Sequence, residues 1–308
     1  MTRPHHQRVA ARRTWPVAVA LVVALVVALV VALYAWLEPR GEPHRRASVA
    51  PSSTTTSSTI AAPVRALERD VAALLAHRDG TVAMAVENLN TDLTATWGSP
   101  APQAEASVVK VAILGTLLAT STTTNEPLTP RVRALAAQMI ELSNNDAATA
   151  LWRAAGGAAG LATFDHRIGL TSTSPSTCLV CAGFSWPGWG LTTTTPLDEL
   201  RVLRAVLFSP RYVNAPGRTL ARSLMTSVVP SERWGVANGV PGDASVALKN
   251  GWLPLDGADS DWQINSVGWV HGDGRNYLAA IFSTANPSET YGIDTLNAIS
   301  HVLWRDLA

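Results

Sequence analysis

The sequence has very little lysine and few charges of either sign. Only two of its 24 basic residues are lysine, Lys110 and Lys249, and the others are arginine. Charged residues make up 15% of the chain and the net charge is +1, which excludes a nucleic-acid binder with a broad basic surface. The hydrophobic share of 47% excludes a largely disordered chain. Because arginine supplies general positive charge here, the two lysines mark positions where arginine does not serve.

Sequence patterns for metal and phosphate binding are also missing. His166, His271 and His301 are scattered along the chain without the spacing of metal ligands. No glycine-rich phosphate loop precedes a helical pattern. The sequence therefore predicts neither a metal nor an organic cofactor.

One hydrophobic run stands apart from the rest of the chain. Residues 15–37 carry no charge, and as a helix they would reach about 34 Å, enough to cross a hydrocarbon core of about 30 Å. The run is too long for the apolar region of a secretory signal, and Trp15 and Trp36 lie where interfacial aromatics are favoured. We therefore predict a single-pass anchor in the cell membrane, preceded by a basic cytoplasmic segment at residues 1–14.

The chain beyond this run divides into a linker and a domain. Residues 38–62 are rich in serine, threonine and proline, with too little apolar surface to offset the entropy of ordering, which predicts a flexible linker. Residues 63–308 are long enough to bury one substantial core, and we expect this domain to be extracytoplasmic. There Cys178 and Cys181, the only cysteines, favour a loop-stiffening disulfide; free thiols and a redox function are the alternatives.

Periodicity within the domain predicts an α+β fold. Helical spacing occurs in residues 64–76, 107–119, 131–153, 196–208, 216–228 and 292–307. Strand-like patterns occur in residues 81–88, 93–97, 245–249, 261–270 and 277–283. Because strands lie at both ends with helices between them, we expect the terminal strands to share one antiparallel sheet.

Two residues at the start of an apolar helical run form a candidate nucleophile and base. Ser107 and Lys110 are one turn apart, so their side chains lie on the same helix face. Serine is a weak nucleophile until a base takes its proton, and a desolvated lysine can have a pKa low enough to be that base. Arginine does not deprotonate in proteins, which explains a lysine at this position. The plainer alternative is a helix-capping serine beside a lysine with a buried stem.

Two further polar motifs interrupt apolar patterns. The stretch SNN at residues 143–145 breaks a helical pattern, either to line a cleft or because Ser143 caps a new helix that starts at Asn144. The stretch KNG at residues 249–251 follows a strand, and its glycine lets another segment approach the backbone closely. An edge-strand lysine before a turn is the alternative for this last motif.

In this order the motifs SVVK, SNN and KNG resemble those of the penicillin-recognising serine enzymes. Residues 139–151 are similar to the helix after the second motif in class A β-lactamases. Residues 167–170 and 192–196 are similar to the entry and exit of their omega loop. The resemblance covers residues 63–308 and implies a class A β-lactamase-like fold.

The resemblance also implies an acyl-enzyme mechanism without a metal. Ser107 would attack a carbonyl with Lys110 as its base, and Ser143 would relay a proton to the leaving nitrogen. The backbone N–H groups of Ser107 and Trp252 would form the oxyanion hole. Asn145 would bind the amide side chain of the substrate. The remaining implied substrate-binding residues are those of the third motif, Lys249, Asn250 and Gly251, with Lys249 on the substrate carboxylate.

Three features depart from the family pattern. The family's spacing puts Leu179 where class A enzymes have the omega-loop glutamate, and no acidic residue lies between Asp165 and Asp198. Asn250 replaces the usual threonine or serine of the third motif. The stretch from the first to the second motif is short, which implies a trimmed helical lobe. Without the glutamate, the resemblance implies slow loss of the acyl group.

These observations predict a serine hydrolase acylated by β-lactams or peptidoglycan-peptide amides, with no nucleic-acid partner. One alternative is a true β-lactamase whose base is not recognised in the sequence. Another is a non-catalytic protein that keeps the fold to bind cell-wall peptide or a protein partner. Trp186, Trp189, Trp234 and Trp252 are expected near the cleft, either as stacking surfaces or as packed core.

Overall fold

The computed structural model describes residues 62–255 and 261–307. The basic segment, the anchor and the linker up to residue 61 lie outside these residues and stay predictions. The helices are α1 Ala62–Leu75, α2 Val109–Thr124, α3 Pro130–Glu141, α4 Asn145–Ala154, α5 Gly157–Ile168, α6 Pro196–Leu207, α7 Ala215–Thr226 and α8 Glu289–Asp306. The strands are β1 Thr81–Asn88, β2 Leu93–Trp97, β3 Gln103–Ala104, β4 Thr193–Thr194, β5 Ser245–Pro254, β6 Trp262–Gly272 and β7 Arg275–Asn286.

Strands from the two ends of the domain form one antiparallel sheet. Its order is β2-β1-β7-β6-β5, and β1 pairs along its whole length with β7, as in Met84 opposite Ile281. Strands β6 and β7 are joined by a tight turn in which Asp273 and Gly274 both have positive φ, a geometry that suits a two-residue hairpin. The predicted α+β architecture with a shared terminal sheet is therefore confirmed.

Helices cover this sheet and bury its central strands. Helix α8 packs on β6 and β7 and is joined by α1, while α6 packs on β1 and β7. The run from Tyr277 to Ser283 in β7 is buried without alternation, because both faces of the strand meet other elements. Arg78 fastens the end of α1 to α8 by donating to Thr295 Oγ1 and to the Tyr291 carbonyl.

Helix α2 runs through the middle of the helical part. It is buried on every side from Val109 to Ala119, which explains why its sequence is apolar all round. A Cβ at Gly115 would lie 2.6 Å from Val206 Cγ2 and 2.8 Å from Phe164 Cζ, so this glycine lets α6 and α5 pack closely. In the described part of the chain only this helix is long and apolar enough to span a membrane, and 72% of its apolar window is buried inside the domain. It is a core helix.

The largest differences from the predicted elements are in the second motif, in α5 and in β5. The helix expected over residues 131–153 is divided into α3 and α4, because the backbone is not helical between residues 141 and 145. Helix α5 was not predicted, because its glycine and alanine content masks the helical spacing. The sequence pattern predicts that the strand beginning at residue 245 ends at Lys249. Strand β5 instead continues through the KNG motif to Pro254. Only α2 and α3 lie between the first and second motifs.

Candidate active site

Ser107 lies in a 3-10 turn that leads directly into α2. The preceding Ala106 has φ of 52°, a conformation that costs on the order of 1–3 kcal/mol for a residue with a side chain. The side-chain amide of Asn265 in β6 holds this turn, donating to the carbonyls of Ala104 at 2.8 Å and Glu105 at 2.9 Å. The sheet therefore fixes the position of the candidate nucleophile, which is itself half-buried.

The amine of Lys110 is fully buried and lies between the first and second motifs. Its Nζ is 2.9 Å from Ser107 Oγ and 3.0 Å from Ser143 Oγ. It also donates to the Ser143 carbonyl oxygen at 2.6 Å and to Asn145 Oδ1 at 2.9 Å. Those two oxygens carry no proton, so they accept both N–H bonds of a neutral amine and leave its lone pair for the Ser107 hydroxyl. The geometry suits a base beside a serine nucleophile.

The surroundings of Lys110 favour its neutral form. Burial lowers its pKa well below the ordinary value, and the positive charge of Lys249 lowers it further, while Glu232 acts in the opposite direction. The ring of Trp189 covers the amine, with its centroid 5.0 Å from Nζ. A lysine with a lowered pKa has a neutral fraction that accepts a proton, which an arginine cannot provide.

The second motif owes its position to the break between α3 and α4. Ser143 has φ of 54°, and this left-handed residue turns its hydroxyl and carbonyl toward Lys110. Asn144 caps α4, since its Oδ1 accepts from the Ala147 N–H at 2.8 Å. The alternative in which Ser143 caps the new helix is therefore wrong. Asn145 is the first residue of α4, and its side-chain oxygen accepts a hydrogen bond from Lys110.

Lys249 of the third motif lies behind the cleft surface. It is fully buried in β5, and its Nζ donates to the Asn250 carbonyl oxygen at 2.8 Å. Burial lowers the pKa of Lys249 to about 8, against an opposing contribution from Glu232. The two lysines are therefore close enough for the charge of Lys249 to affect Lys110. Both are buried, so neither places an exposed ammonium group on the cleft wall.

Asn250 does not line the cleft, in contrast to the substrate contact expected from the sequence. Its side chain is fully buried, and Nδ2 donates to the carbonyl oxygens of Glu232 at 2.8 Å and Trp234 at 3.1 Å. The amide is engaged there because residues 230–237 cross over this end of β5. Asn250 therefore supports the neighbouring segment.

Gly251 makes the close approach that the sequence predicts for it. A Cβ at this position would lie 2.6 Å from the Ser107 backbone nitrogen and 2.8 Å from that of Val108. Strand β5 thus passes directly against the nucleophile turn, with Trp252 as the next residue at the cleft. Gly251 itself is buried and acts through this backbone contact.

The cleft that contains Ser107 has a cavity volume of about 170 Å³. Its polar lining consists of Ser107, Ser143, Asn145 and Glu232. Its apolar lining includes the aromatic residues Phe184, Trp186, Trp189 and Trp252. Trp189 is buried, as the packing alternative predicts, while Trp186 is 42% exposed and stacking on it stays a prediction.

The segment expected to carry the omega-loop glutamate is folded back on itself. Cys178 and Cys181 are joined by a disulfide, and the Leu179 carbonyl accepts from the Gly188 N–H at 2.7 Å. A side chain at Gly188 would collide with Cys178 and Cys181, which explains the glycine. Leu179 packs against the core and does not line the cleft.

A cluster of buried carboxyl groups lies beneath the nucleophile turn, and sequence reasoning missed it. Burial raises the pKa of Glu105 well above its ordinary value, and the charges of Glu199, Asp165 and Asp198 raise it further. Burial, followed by the same two aspartates, raises the pKa of Glu199 to about 8. Burial and Asp198 raise the pKa of Asp165 to about 7. No motif in the sequence indicates this cluster, since Glu105, Asp165 and the adjacent pair Asp198 and Glu199 are far apart in the chain.

Asn265 and Glu232 were also missed by sequence reasoning. Asn265 was detectable only as a polar residue inside a strand predicted to be buried, and Glu232 lies in a segment without regular periodicity. Within residues 62–255 and 261–307, no group of three or more His, Cys, Asp or Glu side chains is placed to hold a metal ion.

Comparison with solved structures identifies the fold. A beta-lactamase from Desulfarculus baarsii DSM 2075 matches with a TM-score of 0.65 and 23% identity, over 80% of this chain and 99% of that one. A class A beta-lactamase representative from Bacteroides cellulosilyticus DSM 14838 matches with a TM-score of 0.68 and 17% identity, over 80% and 98%. A beta lactamase from Xanthomonas campestris pv. campestris matches with a TM-score of 0.67 and 18% identity, over the same shares.

Sequence comparison gives the family. No curated protein matches the chain. The family model described as the beta-lactamase enzyme family matches residues 119–307, a stretch that begins after the SVVK motif and includes the second and third motifs. That stretch is more than half of the chain, and the fold agrees with it. The protein belongs to the beta-lactamase enzyme family and has a class A β-lactamase-like fold.

Proposed function

We propose that this hydrolase uses Ser107 as a nucleophile that is acylated by β-lactams or peptidoglycan-peptide amides. One observation carries the proposal. Lys110 Nζ lies 2.9 Å from Ser107 Oγ and 3.0 Å from Ser143 Oγ, while burial lowers the pKa of its amine. A neutral amine between two hydroxyl groups can take a proton from one and return it through the other.

The proposed acylation balances within this set of residues. The Ser107 Oγ–H proton moves to Lys110 as Oγ bonds to the carbonyl carbon, and the N–H groups of Ser107 and Trp252 stabilise the oxyanion. The C–N bond then breaks, and the leaving nitrogen receives a proton from Lys110 through the hydroxyl of Ser143. Asn145 binds the amide side chain of the substrate in this proposal.

Deacylation is proposed to be slow because the loop at residues 178–188 contains no carboxylate that could activate a water molecule in the cleft. Leu179 occupies the position that the family pattern gives to glutamate, and it packs against the core. A leucine cannot accept a proton from water. The protein would therefore hold an acyl group on Ser107 for longer than an efficient β-lactamase does.

The location of the domain forms part of the same proposal. Residues 15–37 would anchor the chain in the cell membrane, with residues 38–62 as a tether and residues 63–308 as the extracytoplasmic catalytic domain. Protease treatment of intact spheroplasts tests this arrangement. Digestion of the domain from outside supports it, and protection until the membrane is lysed contradicts it.

Intact-mass spectrometry after addition of a fluorescent penicillin tests the chemistry. The expected result is a mass increase equal to the whole penicillin, which is lost slowly and is absent from Ser107→Ala. Rapid loss with turnover would instead favour the runner-up, a true β-lactamase with another base.

A non-catalytic binding protein remains the second candidate, favoured by one observation. Lys249 and Asn250 are engaged within the protein instead of facing the cleft. The absence of any adduct from penicillin and from a fluorophosphonate probe, with retained binding of cell-wall peptide, would select this candidate. An adduct on Ser107 excludes it.

A further inference from the structure

The described lining of the cleft contains one carboxyl group and no basic side chain. Of the described residues that line it, the one ionisable side chain is the carboxyl group of Glu232. Its Oε2 is buried and has no hydrogen-bond partner among the described residues. The cleft wall itself therefore presents a carboxyl group to a ligand and no cationic side chain.

Neither lysine forms an ion pair with Glu232 within the residues described: burial raises the pKa of that carboxyl group, and the charges of Lys249 and Lys110 lower it. Lys110 and Lys249 are both fully buried, and their ammonium or amine groups are bonded within the protein. Burial lowers the pKa of Lys249 to about 8, so this lysine is mostly charged at neutral pH, but its side chain stays buried behind the cleft surface. No ion pair within 4.0 Å joins Glu232 to either lysine in the described chain.

The third motif fixes Glu232 in place. Asn250 donates to the Glu232 carbonyl at 2.8 Å, and the Glu232 N–H donates to the Val229 carbonyl at 2.9 Å. The Trp234 carbonyl accepts from the same Asn250 amide at 3.1 Å. The asparagine in the third motif thus supports the segment that carries the carboxyl group, which gives this departure from the family pattern a structural purpose.

Aromatic rings stand beside the carboxyl group. Trp252 lines the same cleft and packs edge-on against Trp234, with ring centroids 6.1 Å apart. Phe184 and Trp186 line the cleft from the segment that follows the disulfide. A carboxylate together with aromatic rings attracts cations and tolerates neutral apolar groups, while it repels a second carboxylate.

We propose that Glu232 is a specificity-determining residue that favours acyl donors with an uncharged or cationic group at the Lys249 end of the cleft, and disfavours those with a carboxylate there. The proposal rests on the proposed function, since it assigns the charge of the substrate that acylates Ser107. The preferred substrates are neutral or amine-bearing amides and esters with apolar side groups.

Acylation by benzylpenicillin and by its uncharged methyl ester tests this preference. Second-order rate constants are measured by intact mass for the wild type and for Glu232→Gln, and the ester-to-acid ratio is compared between the two proteins. The intrinsic reactivity of each compound cancels in that comparison. We expect Glu232→Gln to lower the ratio by about tenfold or more, through faster reaction with the acid. A change smaller than about fivefold, or one in the opposite direction, overturns the proposal.

Two variants separate charge from folding. Glu232→Asp keeps the carboxylate and should keep most of the preference for the ester. Glu126→Gln removes an exposed carboxylate from the loop after α2, and should leave the ratio as in the wild type. Thermal unfolding of each variant shows whether its fold is intact.

A binding experiment keeps the proposal testable if no compound acylates the protein. Ser107→Ala is titrated with benzyltrimethylammonium and with phenylacetate, with and without Glu232→Gln, by isothermal calorimetry or ligand-observed NMR. The cation should bind more tightly than the anion, and Glu232→Gln should remove about fivefold or more of that difference. Equal binding, or tighter binding of phenylacetate, overturns the inference. Absence of every adduct with retained cation preference would instead contradict the proposed function alone.

Discussion

Gly251 lies so close to Ser107 that a Cβ on the glycine would stand 2.6 Å from the serine backbone nitrogen. The third motif therefore contacts the nucleophile through its backbone, and this contact depends on the absence of a side chain. It also brings Trp252, whose N–H is proposed for the oxyanion hole, next to the nucleophile turn.

The variant Gly251→Ala should damage acylation more than it damages the fold. Its methyl group must push the nucleophile turn away from β5, so we expect acylation to fall by about 100-fold. The free energy of unfolding should fall by about 1–3 kcal/mol, as for other overpacked positions. Gly242→Ala is the matched control, because a Cβ there meets open space and the residue has no positive φ. Equal acylation by both variants would contradict this account of the motif.

The replacement Lys110→Arg should abolish acylation. A guanidinium stays protonated and cannot take the Ser107 proton, so the rate should fall by about 1,000-fold or more. Arg153→Lys on the exposed side of α4 is the reciprocal control and should react as the wild type does. Normal acylation of Lys110→Arg would mean that the scarcity of lysine reflects composition alone.

The pH profile of acylation tests the same base. The rate should rise as pH increases through the lowered pKa of Lys110, because the neutral amine is the active form. It should level off below the ordinary lysine value of 10.5. If the positive charge of Lys249 assists, the rate should decline above its pKa of about 8. A rate that still climbs at pH 10 would place a different group in the role of base.

The motifs were predictable from the sequence because each depends on local spacing. Ser107 and Lys110 share a helix face by the geometry of one turn, and Gly251 is informative because only glycine permits the contact. Asn250 shows the limit of such reasoning. Its place in the KNG motif comes directly from the sequence, but its side chain bonds to residues 232 and 234, and no local pattern predicts that this segment crosses β5.

Glu232, Glu105 and Asn265 could not be assigned from the sequence for a related reason. Each interacts with residues far away in the chain. The Asn265 amide in β6, for example, donates to the carbonyl of Ala104 in the turn before Ser107. The sheet was predictable because strand patterns at both ends have few ways to pair, whereas the contacts of single polar side chains depend on the completed fold.

Restoring the family's glutamate at its sequence position should not restore deacylation. The side chain of Leu179 packs against the core, so Leu179→Glu places a carboxyl group away from the cleft. We expect the acyl-enzyme lifetime to stay within about twofold of the wild type and the melting temperature to fall, since a carboxyl group is buried. Val180→Glu is the neighbouring control, because Val180 is 88% exposed and should tolerate the charge. Much faster loss of the adduct in Leu179→Glu would show that the side chain at residue 179 reaches the cleft.

The disulfide should stiffen the cleft loop without being needed for acylation. The double variant Cys178→Ser, Cys181→Ser removes a short ring, which costs about 1–2 kcal/mol of unfolding free energy on loop-closure grounds. Within the described chain, the hydrogen bonds of Lys110 go to Ser107, Ser143 and Asn145 and not to the ring at residues 178–181, so the adduct should still form. The wild type treated with a reductant should match the double variant in melting temperature. Loss of the adduct in both would give the loop a direct part in the chemistry.

The carboxyl cluster below the nucleophile should make the protein less stable as the pH rises. The raised pKa values of Glu105 and Glu199 mean that the folded state retains protons which the unfolded state releases above the ordinary glutamate value of 4.5. The stability that Glu199 contributes is therefore full below 4.5 and is lost up to its pKa of about 8, and the contribution of Asp165 is lost between 3.8 and about 7. Each retained proton contributes a slope of up to about 1.4 kcal/mol per pH unit.

Urea unfolding between pH 5 and pH 8 measures this slope. Glu199→Gln removes one of the groups, so its stability should decline less steeply than that of the wild type and exceed it at the upper end of the range. Glu68→Gln on α1, which lies outside the cluster, should follow the wild-type curve. A wild-type curve that rises with pH would mean that these carboxyl groups are stabilised as anions. Glu105 Oε2 and Glu199 Oε1 are buried without a hydrogen-bond donor among the described residues, which opposes that outcome.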